Sequence, residues 1–181
     1  MNIFYKKNNK TGGFTLVETL IAVSIFSMSI LSLMSVLGQG ISSTNYSKRK
    51  IVASYLAQEG IEYIRNMRDT YVLYGGTSQA GWNSFNAKIT GNSCTTNGCY
   101  FNADGINYLD NTQAILDMTI NSCSSSSCSN APLLYNAGKY NYTSGTNSGY
   151  VRKITIATSG SPVNEIKVSS TVYWSQGSGN Y

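Results

Sequence analysis

The 181-residue sequence has no histidine, only two prolines and only eight acidic residues. Catalysis needs converging titratable groups, and histidine is the side chain that most readily supplies them near neutral pH. With few acids as well, the chain lacks the groups of an enzyme active site. Histidine is also a common zinc ligand, so its absence argues against a zinc site. We therefore expect no catalytic residue, no cofactor and no metal centre.

The sequence also lacks a strongly basic surface, despite a net charge of +5. Lys6, Lys7 and Lys10 precede the main apolar run, and a second basic cluster at residues 48–50 follows it. From Tyr71 onward five Lys or Arg residues face four Asp or Glu residues. A nearly neutral C-terminal part gives poor support for a phosphate-binding surface. Nucleic acid or a glycan could be a partner, but no motif supports either.

Four cysteines, Cys94, Cys99, Cys123 and Cys128, form two pairs with C-x4-C spacing, and no C-x-x-C pair occurs. Disulfides are therefore favoured over zinc, which implies an oxidising compartment. Four cysteines allow three pairings, and the sequence cannot choose among them, although we favour two local rings. A ring this small would contribute about 2 kcal/mol in the chain-entropy model.

Residues 14–37 form a dense apolar run whose only formal charge is Glu18. As a helix these 24 residues would extend about 36 Å, enough to cross a hydrocarbon core of about 30 Å. Serines within the run do not prevent spanning, because a helical hydroxyl can bond to a carbonyl of the preceding turn. The basic residues before the run place the N terminus in the cytoplasm and the rest of the chain outside.

A second helical pattern covers residues 53–69. Small and apolar residues recur there at steps of three and four, a spacing that predicts an amphipathic helix. They are Ala53, Ala57, Gly60, Ile64 and Met67, with Leu56 and Ile61 widening the face. Gly38 and Gly40 lie between the two patterns and could loosen the helix, and Gly75-Gly76 should end it. We expect a long helix whose amphipathic end packs on a head domain.

The chain after Gly76 is polar and rich in turn residues, and its clearest pattern comes last. Residues 150–158 and 163–174 are rich in β-branched and aromatic residues and are separated by the turn sequence Ser-Gly-Ser-Pro. Ile166, Val168, Val172 and Trp174 fall on one face. Weaker strand candidates are residues 116–120 and 133–142. We predict an α+β fold in which a long N-terminal helix packs on a small antiparallel meander with long disulfide-bearing loops.

These patterns divide the chain into successive parts. A basic leader (1–13) precedes an apolar helix for a membrane or a filament core (14–38). An amphipathic helix (39–70) then continues into a polar, β-rich head outside the cytoplasm (71–181). The length leaves room for one modest domain and none for two full cores.

Three explanations compete for the segment KTGGFTLVETLIAVSIFSMSILSLMSVLG at residues 10–38. A secretory signal peptide has a shorter apolar core, and a simple single-span anchor leaves Glu18 and Gly12-Gly13 unexplained. The third explanation is cleavage between Gly13 and Phe14, which would place a cationic amine one turn before Glu18. A carboxylate in hydrocarbon is costly unless paired, and the amine of a neighbouring copy is a natural partner. Staggered helices that pair these charges would form a filament.

The segment KTGGFTLVETLIAVSIFSMSIL resembles the class III signal of type IV pilins and of the pseudopilins of type II secretion. That motif joins a basic leader to Gly, Phe, Thr, Leu, a hydrophobic residue and Glu. The resemblance implies that prepilin peptidase cuts between Gly13 and Phe14 and that Phe14 becomes an N-methylated terminus. It also implies that Glu18, with Thr15, sets subunit register during filament assembly.

The resemblance implies partners and a location as well. The partners would be other pilin subunits, prepilin peptidase, an inner-membrane assembly platform, and membrane lipid before assembly. The protein would first be a single-pass inner-membrane protein with its head outside the cytoplasm. It would later belong to a cell-surface or periplasmic filament.

The sequences AQEGIEYIRNMRD and TVYW further resemble PilV-type minor pilins and pseudopilins of the I type. The chain departs from familiar pilins in having no proline in its N-terminal helix and no single C-terminal disulfide loop. The resemblance implies a structural role as a minor pilin or pseudopilin. A filament-borne adhesin or DNA-uptake head is an alternative of another class, and a non-polymerising membrane-anchored extracellular protein is a third.

Asp104, Asp110 and Asp117 lie among asparagines and a glycine and could be read as calcium ligands. The stretch lacks the EF-hand order and its terminal glutamate. Asp and Asn residues that stabilise turns are the more ordinary explanation.

Overall fold

The computed structural model describes residues 12–91, 94–103, 115–160, 162–176 and 179–180 of the chain. The chain forms two compact units, Met1–Ser47 and Lys48–Tyr181. One long helix begins in the first unit and ends in the second. Among the described residues, the second unit also holds a shorter helix and a seven-stranded antiparallel sheet. The predicted α+β layout, a long N-terminal helix with a small antiparallel sheet, is confirmed.

Helix α1 covers Leu16–Tyr74, 59 residues without a break. The two helical patterns of the sequence therefore belong to one helix. Gly38 and Gly40, which were expected to loosen it, lie inside it without interrupting it. The break predicted at Gly75-Gly76 follows directly, because residues 75–77 leave the helical conformation.

A second helix, α2, covers Ser78–Thr90, in a region that the sequence analysis assigned to turns. Thr77 is its N-cap, and the Thr77 side-chain oxygen accepts a hydrogen bond from the amide of Ala80 at 3.2 Å. A Cβ added at Gly81 would overlap the backbone of Tyr71, so glycine allows α2 to pack against the end of α1. The few apolar positions of this short helix, set among polar residues, are too weak a pattern to reveal it.

Seven strands lie in the described part of the second unit. They are β1 (Cys99–Asn102), β2 (Thr119–Ser122), β3 (Pro132–Asn136), β4 (Lys139–Asn141), β5 (Thr146–Ser159), β6 (Glu165–Gln176) and β7 (Gly179–Asn180). All their pairings are antiparallel.

Strand β5 organises the sheet, because three strands pair with it. β6 pairs with β5 along most of the length of both strands, from Tyr150↔Trp174 to Ser159↔Glu165. β3 pairs with the first part of β5, and β1 pairs with it at Ile154. β2 extends the sheet beyond β1, and β4 extends it beyond β3. The three predicted strands therefore pair in the predicted antiparallel order, as β3, β5 and β6, and the sheet gains strands that the meander did not include.

The predicted strands at 150–158 and 163–174 correspond to β5 and β6, whereas both weaker strand predictions need adjustment. Residues 133–142 form two strands, because Ala137 and Gly138 have positive φ values of 48° and 85° and turn the chain between β3 and β4. In residues 116–120 the strand begins only at Thr119, and Leu116 is helical.

The predicted stripe on α1 is the face that packs into the core. Ala53, Leu56, Gly60, Ile64 and Met67 are buried. The remaining two stripe positions, on the flanks of this face, are half-buried. Burial at steps of three and four is what a helix packed on one side requires.

The main core cluster of the second unit combines α1, α2 and the sheet. It includes Ile64 and Met67 from α1, Phe85 and Ile89 from α2, and Phe101, Ile154 and Ile156 from the sheet. A second cluster joins Ala53 and Leu56 to Leu133 and Tyr150. The β6 residues predicted to share a face pack on these two clusters, Ile166 and Val168 on the first and Val172 and Trp174 on the second.

Both cysteine pairs form local disulfides, Cys94–Cys99 and Cys123–Cys128. These are the two local rings that we favoured among the three pairings, and all four cysteines are buried. The amide of Cys123 donates to the carbonyl of Gly98 at 2.9 Å. The two rings are therefore joined by a backbone hydrogen bond at the ends of β1 and β2.

Candidate assembly segment and head groove

The first unit leaves its apolar side chains uncovered. Every described residue from 12 to 45 is exposed, and Phe14 is 84% exposed. Uncovered apolar surface on this scale marks a contact with lipid or with other protein. Hydroxyl groups on the same stretch donate within the helix, which reduces the cost of placing them in an apolar medium. The donors are Thr19 to Leu16 O, Ser24 to Ile21 O, Ser27 to Val23 O and Ser29 to Ile25 O.

By length and composition, α1 qualifies as a helix that could cross a membrane. A signal sequence near an N terminus meets the same criterion, so this property alone does not define a membrane anchor. It does fit the predicted attachment to the inner membrane.

Thr15 and Glu18 begin α1 together. Thr15 Oγ1 accepts a hydrogen bond from the amide of Glu18 at 3.2 Å. The order Thr-x-x-Glu is that of a capping box, and a carboxylate in the first turn also interacts favourably with the helix dipole. The Thr15 hydroxyl therefore caps the helix, and Glu18 lies in its first turn, a local arrangement that the sequence analysis missed although the spacing was visible. Both residues are exposed, so this local arrangement leaves them accessible to another chain.

The predicted cleavage site lies just before α1. Gly13 and Phe14 are exposed and outside the helix. A Cβ added at Gly13 would meet no atom within 4 Å. The peptide bond between the two residues is thus accessible, as a processing site needs to be.

In the second unit, a charged side chain stands in the apolar row of β5. Tyr150, Arg152, Ile154 and Ile156 alternate along one face of the strand, and all four are buried. Arg152 Nη1 donates to Glu59 Oε2 at 2.7 Å and to the carbonyl of Leu56 at 3.2 Å. A buried charge is tolerated only when it is paired and hydrogen-bonded.

Two aromatic rings complete the surroundings of Arg152. Its guanidinium carbon lies 5.3 Å from the ring centre of Tyr63 and 5.8 Å from that of Tyr142. Burial by itself lowers the pKa of Arg152, but attraction to Tyr142 and Glu59 outweighs burial, and the net pKa is raised. Burial raises the pKa of Tyr142, and the nearby guanidinium opposes only part of that shift. Near neutral pH, Arg152 is therefore a cation and Tyr142 is uncharged.

An open groove of about 1350 Å³ lies between α1 and the β3–β4 hairpin, and Arg152 belongs to its lining. Four tyrosines and a carboxylate contribute to the same lining: Tyr55, Tyr63, Tyr140, Tyr142 and Glu59. The groove lies within Lys48–Tyr181. It brings together aromatic faces and an ion pair, which are the elements of a binding site.

The sequence analysis named none of these groove residues. Arg152 was the residue from which the groove could have been suspected, because the period-two alternation of β5 places it on the face that packs into the core. Glu59 could not be found in the same way, because a glutamate on a helix is ordinary and its partner lies 93 residues away.

The residues of the less favoured calcium interpretation lie mainly outside the described part of the chain. Asp104 and Asp110 are not among them, and Asp117 is. In the part of the chain that the structure covers, no group of three metal-ligating side chains occurs.

Comparison with known proteins identifies the N-terminal segment. Residues 8–34 match the family model described as the prokaryotic N-terminal methylation motif. The match includes Gly13, Phe14 and Glu18, and it supports a class III signal of the type IV pilin kind. Such a signal suggests a structural, pilin-like subunit, with prepilin peptidase and other pilins as partners in general. No curated protein and no solved structure matched the chain.

Proposed function

We propose that this chain is a structural subunit, a minor pilin or pseudopilin, of a type IV pilus-like filament. One observation carries the proposal: the methylation motif at residues 8–34 leads directly into a helix whose apolar side chains are all exposed through residue 45. Lipid would cover this surface before assembly, and the helices of neighbouring subunits would cover it afterwards. The two environments require the same all-round apolar helix.

Cleavage between Gly13 and Phe14 would prepare the subunit for assembly. It would remove the basic leader and leave a cationic amine at Phe14, which would then be methylated. The carboxylate of Glu18 would pair with the amine of an adjacent subunit, because either charge alone in an apolar medium is costly. This pairing would set the stagger between subunits, while Thr15 would keep the first turn of the helix in place.

Localisation and partners follow from this role. The chain would enter the inner membrane with its leader in the cytoplasm and its head outside, and an oxidising exterior suits its two disulfides. Prepilin peptidase, other pilins and an assembly platform would be its partners. The PilV-type resemblance favours a minor rather than a major subunit.

Processing is tested by co-expression with a prepilin peptidase and by intact mass spectrometry of the membrane-extracted protein. The expected product begins at Phe14, with or without an added methyl group. Gly13→Leu should block cleavage because the motif requires a small residue at that position. Gly12→Leu is the matched control, since the motif places no requirement on Gly12, and it should be cleaved normally.

Assembly is tested by recovering sheared filaments from cells of the native host that carry Glu18 variants. Glu18→Gln keeps a hydrogen-bonding side chain at the third helical position but removes the charge, whereas Glu18→Ala removes both. If the charge pairs with a neighbouring amine, both variants should be processed and both should be absent from filaments. Ser24→Ala, which changes a hydroxyl that is bonded within its own helix, should be incorporated normally.

The alternatives give different results in the same experiments. If the Glu18→Gln variant assembles like the native chain, the charge of Glu18 is not needed for assembly, and Glu18 acts only at the start of its own helix. A chain that retains its first thirteen residues in cells, or one that is cleaved but stays monomeric in the membrane, would contradict the filament proposal. The second outcome would favour a non-polymerising anchored protein.

A further inference from the structure

The groove between α1 and the β3–β4 hairpin plays no part in the proposed assembly, which depends on the N-terminal segment. At about 1350 Å³ it exceeds the range of about 300–1,000 Å³ that is usual for small-molecule pockets. A ligand made of several linked units suits this size better than a single small metabolite.

Tyrosine rings supply the apolar part of the groove. Tyr55 is 68% exposed, and Tyr140 is half-buried. The Tyr140 ring is held by Tyr135 and Tyr150, whose ring centres lie 5.1 Å and 6.1 Å away. The face of an aromatic ring is electron-rich and attracts C–H groups, such as those on one face of a sugar ring. A ring that is already packed loses little freedom when it binds a ligand.

A fixed carboxylate supplies the polar part. Glu59 Oε1 accepts a hydrogen bond from the Tyr63 hydroxyl at 2.7 Å, and Glu59 Oε2 accepts one from Arg152 Nη1 at 2.7 Å. The Glu59 side chain is 39% exposed, whereas that of Arg152 is 3% exposed. Each carboxylate oxygen has two lone pairs, so each can accept another hydrogen bond from a ligand hydroxyl. Arg152 thus acts as a positioning residue below Glu59.

The hairpin adds amide and hydroxyl groups to the opposite wall. Asn136 Nδ2 donates to Ser144 Oγ at 3.3 Å, and Asn141 Oδ1 accepts from the amide of Ser144 at 2.8 Å. All three residues belong to the groove lining. Side-chain amides can both donate and accept, which suits a ligand that carries many hydroxyls.

The charge of the groove favours a neutral ligand. Glu59 and Arg152 cancel each other, and among the described residues of the lining Lys139 is the other charged one. One lysine is a weak attraction for a polyanion such as nucleic acid, whose binding depends on several phosphate contacts. An added peptide strand is also disfavoured, because the neighbouring edge strand β4 has only three residues.

We propose that this groove binds a neutral oligosaccharide. Tyr55 and Tyr140 would pack against sugar rings, and the Glu59 carboxylate would accept hydrogen bonds from sugar hydroxyls. The amides of the hairpin would bind hydroxyls on the opposite side. The proposal does not rest on filament assembly, and a failure of either leaves the other standing.

The test uses the full chain in lipid nanodiscs, because a sugar-based detergent would compete for the site. An array of neutral, sialylated and sulfated oligosaccharides is screened first, and the best neutral compound is then titrated by calorimetry. Tyr55→Ala should weaken its binding about tenfold, in line with the loss of one aromatic contact. Tyr74→Ala is the matched control, since Tyr74 is a similarly exposed tyrosine of the same helix outside the groove, and it should leave the affinity unchanged.

Glu59→Gln gives a second measurement, made where circular dichroism shows that the variant is folded. It should also weaken binding about tenfold, because a charged acceptor forms stronger hydrogen bonds than an amide oxygen. The proposal is overturned if no neutral oligosaccharide binds the native protein. It is also overturned if only acidic glycans bind, or if Tyr55→Ala binds as tightly as Tyr74→Ala.

Discussion

Arg152 Nη1, on the central strand β5, donates a hydrogen bond to Glu59 Oε2 on α1 at 2.7 Å, and the arginine side chain is only 3% exposed. Its neighbours in the buried row of β5, Tyr150 and Ile154, contribute mainly apolar surface. Apolar contacts tolerate small shifts of a helix along a sheet, whereas a buried charge needs its partner in one place. The pair therefore adds one directional contact between β5 and α1 to an interface that is otherwise mainly apolar.

Loss of the Glu59 charge should destabilise the second unit. Glu59→Gln leaves a buried guanidinium without a counter-charge, and we expect the free energy of unfolding to fall by about 2 kcal/mol. Unfolding in urea can be followed by the fluorescence of Trp82 and Trp174, both in this unit. Glu62→Gln is the matched control, because the Glu62–Arg65 pair is exposed on both sides and should contribute less than about 0.5 kcal/mol. Equal losses in the two variants would mean that burial adds nothing to the Glu59–Arg152 pair.

Gly60 lies where α1 packs closely against the sheet. An added Cβ would lie 2.6 Å from Ser170 Oγ and 3.0 Å from Arg152 Cδ. Overpacking costs about 1–3 kcal/mol, and alanine recovers about 1 kcal/mol of helix propensity. Gly60→Ala should therefore lower the free energy of unfolding by about 1 kcal/mol, as measured by urea denaturation.

The cause of the Gly60 effect can be separated by a second substitution. Ser170 Oγ is buried and makes no hydrogen bond within the described residues, so Ser170→Ala removes the nearest atom at little cost. The double variant Gly60→Ala/Ser170→Ala should recover most of the lost stability. If it is no more stable than Gly60→Ala, the clash with Ser170 is not the cause.

The two disulfide rings should differ in importance although they have the same length. In the chain-entropy model each ring contributes about 2 kcal/mol. Cys94 and Cys99 belong to the main core cluster, whereas Cys123 and Cys128 belong to a small cluster with Ala131. Replacing the first pair by alanine also removes packed sulfur atoms from the main core.

Thermal and urea unfolding of the two double alanine variants would measure this difference. Both should be less stable than the native protein, and the Cys94/Cys99 variant should lose more. Non-reduced peptide mapping checks that the remaining disulfide stays local in each variant. A larger loss in the Cys123/Cys128 variant would contradict the ranking by core membership.

The sequence predicted the parts of the fold that have long, regular patterns. The stripe from Ala53 to Met67 and the alternation in β6 each repeat often enough to define a buried face. Helix α2 was not predicted, because it is short and its packing depends on a close approach between Gly81 and Tyr71 that no local pattern encodes. Tertiary contact, rather than propensity, decided that region.

The two candidate sites show the same contrast between local sequence patterns and tertiary contacts. Gly13, Phe14 and Glu18 belong to one short sequence motif, so sequence alone was enough to propose them. The groove depends on residues from α1, β5 and the hairpin, and Glu59 and Arg152 are 93 positions apart. Only the fold brings such residues together. The arginine in an apolar strand row was the one local sign of it.

Alkaline pH should destabilise the second unit through tyrosines that are buried or half-buried. Burial is the main cause that raises the pKa of Tyr71, Tyr140, Tyr142 and Tyr150. A pKa raised in the folded state means that folding favours the neutral phenol. The resulting stability is fully present below the pKa of unfolded tyrosine, about 10, and is lost as pH rises through the higher folded values.

The free energy of unfolding should therefore be nearly constant up to about pH 9 and fall above about pH 10. Urea denaturation across this range measures the fall, and absorbance of the tyrosinate ion measures the ionisation. Tyr142→Phe removes one of these buried phenols and should make the fall less steep, whereas Tyr55→Phe, at an exposed position, should leave it as steep as in the native protein. If Tyr142→Phe loses stability as steeply as Tyr55→Phe and the native chain, ionisation of Tyr142 does not contribute to the alkaline loss.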